Sequence, residues 1–297
     1  MADARFTGSG VALVTPFDDE GVNAGVLREL VRFHHDAGTD ALVLCGSTGE
    51  AATMTPAEQR QVIEVVVEAN AGRLPVIAGC AGSATAQVVA LAAQARAAGA
   101  DAVLVSAPSY NKPTQRGLIE HFRRVLDAAE LPLILYNVPG RTGVNIRPDT
   151  VAELAQDPRV IGVKEASGDI SQVAELARLV GGTLAIWSGN DDQTVPILAL
   201  GGAGVISVLA NVAPSETSRM VHLFRDGDVV GARELQLRLF PLIQALFAES
   251  NPIPVKAAVE WLGFDVGPLR LPLTPLSDGA RARLVAELGA AGIRRRG

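Results

Sequence analysis

The 297-residue chain carries 26 Lys and Arg against 32 Asp and Glu, a formal charge of −6, and so lacks the basic face of a nucleic-acid binder. No apolar run approaches the roughly 20 residues of a membrane span, and Met1–Phe6 has no secretory apolar stretch, so a cytoplasmic protein without a membrane partner is expected. The two cysteines, Cys45 and Cys80, are too few for a disulfide framework and each ends an apolar run. No His/Cys group has ligand spacing, so neither a metal nor a cofactor is expected.

Short apolar runs recur along the chain at Val11–Thr15, Ala41–Cys45, Pro75–Ala78, Ala102–Ser106, Leu131–Tyr136, Val160–Val163, Leu184–Trp187 and Gly204–Val208. Helical periodicity fills the gaps, as over Val26–Ala37, Pro56–Ala71, Ala84–Ala98 and Gln115–Ala129, with Gly or Pro at most junctions. Strands that alternate with helices pair in parallel, and strands apolar throughout are covered on both faces. Eight units in about 200 residues is the arithmetic of a closed (β/α)8 TIM barrel. An open doubly wound sheet would instead carry a glycine-rich loop after its first strand, and Gly8-Ser9-Gly10 precedes the expected one. From about Asn211 the pattern reads as three or four helices, with Asn251–Pro254 marking one helix start. The division expected is a catalytic barrel over 1–225 and a C-terminal helical region over 226–297.

Barrel enzymes place reactive groups at the C-terminal ends of strands. That rule selects Gly46–Glu50 after the second strand, Ser109-Tyr110-Asn111 after the fourth, Tyr136-Asn137 and Arg141 after the fifth, and Lys164-Glu165 after the sixth. Both tyrosines and one of only three lysines therefore share one rim. A lysine amine attacks a ketone only when uncharged, and an apolar barrel mouth disfavours the ammonium form by desolvation. The structural alternative is an ion pair between Lys164 and its neighbour Glu165. Lys112 and Lys256 lie in Pro-rich, polar contexts and are expected in solvent. All four histidines fall on helical segments, which leaves Tyr136, relayed through a hydroxyl such as Ser47, as the proton shuttle. The Gly46–Glu50 loop suits an anion cradle, though it lacks P-loop spacing.

Together these segments resemble the dihydrodipicolinate synthase (4-hydroxy-tetrahydrodipicolinate synthase) family, within the N-acetylneuraminate lyase superfamily. The likeness spans nearly the whole chain, through Gly8–Phe17, Gly46–Glu50, Tyr136–Gly143, Gly162–Asp169, Gly201–Val208 and Asn251–Lys256. It implies a lyase that condenses pyruvate with L-aspartate-4-semialdehyde on the route to diaminopimelate and lysine. Lys164 would form the Schiff base, and Tyr136 would act as general acid/base through Ser47 and a Tyr110 from a neighbouring subunit. Ser47 and Thr48 would hold the pyruvate carboxylate, Arg141 the aldehyde's carboxylate, and Gly189 and Ile206 would complete the pocket. The resemblance also implies a homotetramer built as a dimer of dimers.

The chain departs from the family pattern in two places. Ser47 stands where threonine is commoner, which keeps the hydroxyl. At the positions through which regulated members bind lysine, it has Ser109, Gln87, Ser83 and Pro56 or Gln59, with no carboxylate. Weak or absent inhibition by lysine is expected. A sister lyase acting on a sialic acid or a 2-keto-3-deoxy sugar acid would share Lys164 and Tyr136 without needing Arg141.

Overall fold

The structure, a computed structural model, describes residues 6–296. Eight parallel strands close into a barrel: β1 Gly8–Ala12, β2 Ala41–Leu44, β3 Val76–Cys80, β4 Ala102–Ser106, β5 Leu133–Asn137, β6 Val160–Glu165, β7 Ala185–Ser188 and β8 Gly204–Ser207. Each strand pairs with its predecessor, and β1 closes the ring between β8 and β2. A tight turn cannot join parallel neighbours, so a helix returns the chain each time. The returns are α1 Ala24–Asp36, α2 Pro56–Asn70, α3 Thr85–Ala97, α4 Gln115–Ala129, α5 Pro148–Leu154, α6 Ile170–Val180 and α7 Thr194–Ala199, and α8 Pro214–Arg225 follows the last strand. Local chemistry sets their starts. Thr55 and Glu58 form a reciprocal capping box on α2, and Asp169 caps α6 through the Ser171 and Gln172 amides.

Alternate residues of each strand face opposite layers. Ala12, Val43, Ile77, Leu104, Ile134, Trp187 and Ile206 fill the barrel interior. Val11, Leu42, Val103, Leu135 and Val163 pack outward under the helices. Phe6 stacks on Trp187 at 4.9 Å and plugs the end opposite the reactive rim, where the Trp187 indole N–H donates to the Phe6 carbonyl.

Strand β1 begins three residues earlier than the apolar run suggests and includes Gly8-Ser9-Gly10, which sequence reading left outside it. The glycines are required where they stand. A β-carbon at Gly204 would lie 1.9 Å from the Gly8 carbonyl oxygen, and one at Gly10 would lie 2.8 Å from the Phe6 ring. Barrel closure brings two backbones together here, and counting apolar side chains overlooks residues chosen for having none.

Strand β6 carries a bulge. Leu133 pairs with Val160 while the next residue, Ile134, pairs with Gly162, so β6 spends an extra residue at Ile161. Strict alternation from the inward-facing Ile161 would turn residue 164 outward. The extra residue resets the alternation. Gly162 fits because a β-carbon there would strike the Trp187 ring at 2.1 Å.

After α8 come α9 Val229–Leu246, α10 Ile253–Trp261 and α11 Asp278–Ala290. The start of α10 follows Asn251-Pro252, as the Pro-rich stretch suggested. Among the described residues no helix is long and apolar enough to cross a membrane. Lys256 departs from expectation: it is 2% exposed, with Nζ 2.7 Å from Glu50 Oε1 and 2.7 Å from the Pro268 carbonyl oxygen. Two prolines precede it and Val255 and Ala257 flank it, but its partners come from the Gly46–Glu50 loop and the segment after α10. Burial drives the Lys256 pKa down, and the bond to Glu50 opposes that shift.

Candidate active site

Tyr136 and Lys164 are direct partners across β5 and β6. Both point into the barrel mouth, and Lys164 Nζ lies 4.5 Å from the centroid of the Tyr136 ring. Lys164 is 5% exposed. Glu165, the alternative partner for the lysine, faces the other way. Its carboxylate accepts from Asn137 Nδ2 at 3.0 Å, from the Ser167 amide at 2.6 Å and from Gln172 Nε2 at 3.4 Å. Those donors satisfy it in the helical layer and leave the lysine free of it. The pleat sends the two neighbours to opposite faces, and the bulge in β6 decides that Lys164 is the one turned inward.

Gly189, just past β7, adjoins the lysine stem, because a β-carbon there would lie 3.1 Å from Lys164 Cε. Ile206 on β8 is fully buried in the same interior cluster as Tyr136. Ser47 and Thr48 follow β2, Ser47 half-buried and Thr48 buried. The Gly49 carbonyl accepts from Thr15 Oγ1 at 2.8 Å, which ties this loop to the segment after β1. Arg141, in the one-turn helix Pro139–Thr142, is exposed at the rim and donates from Nη2 to the Asn251 carbonyl at 2.8 Å. Tyr110 stands apart: it is 89% exposed, in the left-handed region at φ 72°, with its amide donating to the Thr142 carbonyl. Within one chain it does not join the Lys164 mouth.

A family model for the dihydrodipicolinate synthetase family matches residues 5–291. The chain belongs to that family. Among curated members of the dihydrodipicolinate synthetase family, a 4-hydroxy-tetrahydrodipicolinate synthase of Thermoanaerobacter sp. (strain X514) is 54% identical over 274 residues, 92% of each chain. One of Caldicellulosiruptor bescii is 53% identical over 289 residues, covering 97% of this chain and 98% of the relative. The solved structure of a chloride-inhibited dihydrodipicolinate synthase from Acinetobacter baumannii, complexed with pyruvate, superposes with a TM-score of 0.94. It is 42% identical, with 97% of this chain and 99% of that one covered.

Two residues of the site escaped sequence reading. Asp191, in the Gly189–Asp192 segment after β7, is buried and accepts from the Ser207 hydroxyl and from the Val208 and Leu209 amides at 3.0 Å. Burial raises its pKa, and those donors and the Lys164 charge oppose the rise. It braces the end of β7 against the end of β8. The strand-end rule that selected Lys164 covers this position too. Asn251 was visible only as part of a proline-rich motif, and its contacts span a sequence separation of 203 residues to Thr48. Both cysteines are free and buried, and burial pushes the Cys80 thiol up to about 12, away from reactivity.

Proposed function

We propose that this chain is a 4-hydroxy-tetrahydrodipicolinate synthase, which joins pyruvate to L-aspartate-4-semialdehyde for diaminopimelate and lysine biosynthesis. The observation that carries the reading is the buried Lys164 amine against the Tyr136 ring, in a chain of this family. The uncharged amine adds to the ketone carbon of pyruvate, and loss of water leaves an iminium. The iminium withdraws electrons from the neighbouring methyl, which gives up a proton to become an enamine. The enamine carbon attacks the aldehyde, whose oxygen takes a proton to become the hydroxyl. The substrate's own amine then adds to the imine carbon, closes the ring and releases Lys164.

Tyr136 is the group within reach to pass protons in these steps, relayed through Ser47 to Tyr110 of a second subunit. The exposure of Tyr110 in the single chain favours that supply in trans, and with it a homotetramer of paired dimers. Ser47 and Thr48 take the pyruvate carboxylate, Arg141 takes the aldehyde's carboxylate, and Gly189 and Ile206 shape the wall. In this reading 1–225 is the catalytic barrel, described from residue 6, and 226–297 is the helical region that braces it, described to residue 296. Action in the cytoplasm suits a biosynthetic step.

The test is consumption of aspartate semialdehyde in the presence of pyruvate, together with borohydride reduction in pyruvate alone. The expected results are ring product and covalent mass on Lys164. No adduct, or turnover only with sugar aldehydes, would overturn the reading in favour of a binding barrel or a sister lyase.

A further inference from the structure

Asn251 contacts two groups of the mouth at once. Its side-chain Nδ2 donates to Thr48 Oγ1 at 2.9 Å, and its backbone carbonyl accepts from Arg141 Nη2 at 2.8 Å. Asn251 is 7% exposed and belongs to the C-terminal region, not to the barrel that holds Thr48 and Arg141. The same stretch is pinned to the same loop a second time, through Lys256 Nζ and Glu50 Oε1 at 2.7 Å. Asn251 Oδ1 is buried without a partner among the described residues. Buried polar atoms seldom stay bare, so each one calls for an explanation.

The chemistry of the amide gives the contact a direction. An NH2 group only donates, so Thr48 Oγ1 must accept from it. The hydroxyl's own proton then points away from Asn251 and is available to an anion. We infer that Asn251 is a positioning residue that makes Thr48 a donor to the keto-acid carboxylate and holds Arg141 for the aldehyde. The inference rests on the synthase reading above. Its two arms are separable, because the Thr48 arm is side chain and the Arg141 arm is backbone.

The test compares Asn251→Ala and Asn251→Asp in the full-length enzyme, using KM for each substrate and the pyruvate concentration that half-saturates borohydride trapping. Loss of the amide in Asn251→Ala raises both pyruvate values roughly three- to tenfold, while the aldehyde KM stays near wild type because the carbonyl remains. Asn251→Asp keeps the shape but reverses the bond: the carboxylate draws the Thr48 proton to itself and sets a negative charge beside the anion. Its pyruvate values rise by more than those of Asn251→Ala, roughly 30-fold or beyond. A packing role predicts the opposite order, with the isosteric Asp the milder change. In a Thr48→Val background, Asn251→Ala adds little further.

Unchanged pyruvate values in Asn251→Asp, or an Ala variant worse than Asp, would overturn the inference. Asn251→Ser, whose hydroxyl is too short to reach Thr48, replaces Ala if that variant fails to accumulate, with the same rise expected. If the wild type neither traps pyruvate nor makes ring product, the synthase reading fails. If the wild type does both and the variants match it, only the role of Asn251 fails.

Discussion

Gly189 and Lys164 compete for one volume at the barrel mouth: a β-carbon on Gly189 would lie 3.1 Å from Lys164 Cε and 2.7 Å from Ala166 Cβ. The lysine stem passes where a side chain on the next strand would project. Gly189→Ala therefore keeps the fold but displaces the amine. A misplacement of about 1 Å costs on the order of 100-fold in rate, and the lysine need give by only a few tenths of an ångström, so kcat/KM for pyruvate should fall by less, roughly tenfold. Borohydride trapping and a thermal melt measure the two together. Wild-type trapping in this variant would show that the lysine reaches its substrate from elsewhere.

Tyr110 is exposed in the single chain and is proposed to serve a neighbour's mouth. Tyr110→Phe and Lys164→Ala should each be nearly inactive alone. Mixed subunits should regain activity, because one site of each mixed dimer then holds an intact lysine and an intact tyrosine. Co-expression with two affinity tags isolates the mixed species. An inactive mixed dimer would place the Tyr110 contribution within its own chain.

Lys256→Met leaves Glu50 buried without its ion-pair partner. Breaking one side of such a pair costs roughly 3–5 kcal/mol. The double variant Glu50→Gln/Lys256→Met should recover a large part of that loss, since no charge is then stranded. Denaturant unfolding of the three proteins reads the effect, and an unaltered midpoint in Lys256→Met would contradict it.

Acid stability is set first by two buried histidines. Burial, aided by the nearby His35, holds the His34 pKa down to about 3, and burial holds that of His121 down to about 4. Above about pH 6.5 both are neutral in folded and unfolded chains, and neither affects stability. Below that, the unfolded chain takes up protons that the folded one refuses. Stability therefore falls with pH, by about 1.4 kcal/mol per unit for each histidine, until the folded values near 3 and 4 are reached. Glu58 acts in a lower window: its bond from Arg270 holds it at about 2, so its contribution is lost only below about 4.5. Unfolding free energies at pH 7, 6 and 5 should show the histidine slope. His34→Gln should remove about half of it, whatever its effect at pH 7.

Lysine should inhibit weakly or not at all. Ser83 Oγ lies 3.2 Å from Ser109 Oγ, and Asn111 Nδ2 donates to the Ser83 carbonyl, so neutral groups occupy this patch. A charged hydrogen bond missing there costs a cationic ligand roughly 1.5–3 kcal/mol, about 10- to 100-fold in affinity. Titrating lysine into the steady-state assay decides it, and an inhibition constant below about a millimolar would refute the argument.

Much of the barrel was legible in the chain because its signals are local. The eight apolar runs and the helices between them depend on neighbours two to four residues away, and the strand-end rule puts Lys164 and Tyr136 on one rim from position alone. Asp191 obeys the same rule. Other features were decided only by closure of the fold. The start of strand β1 is one, because its glycines matter for what they leave out against Gly204 and Phe6. The burial of Lys256 is not legible locally because Glu50, its partner, is 206 residues distant in sequence. The inward aim of Lys164 depends on the extra residue at Ile161, which appears only when β6 is paired with β5. Alternation along a strand is a property of one segment, whereas register, bulges and buried ion pairs exist only between segments. Their energies are fixed by partners that the linear order does not place side by side.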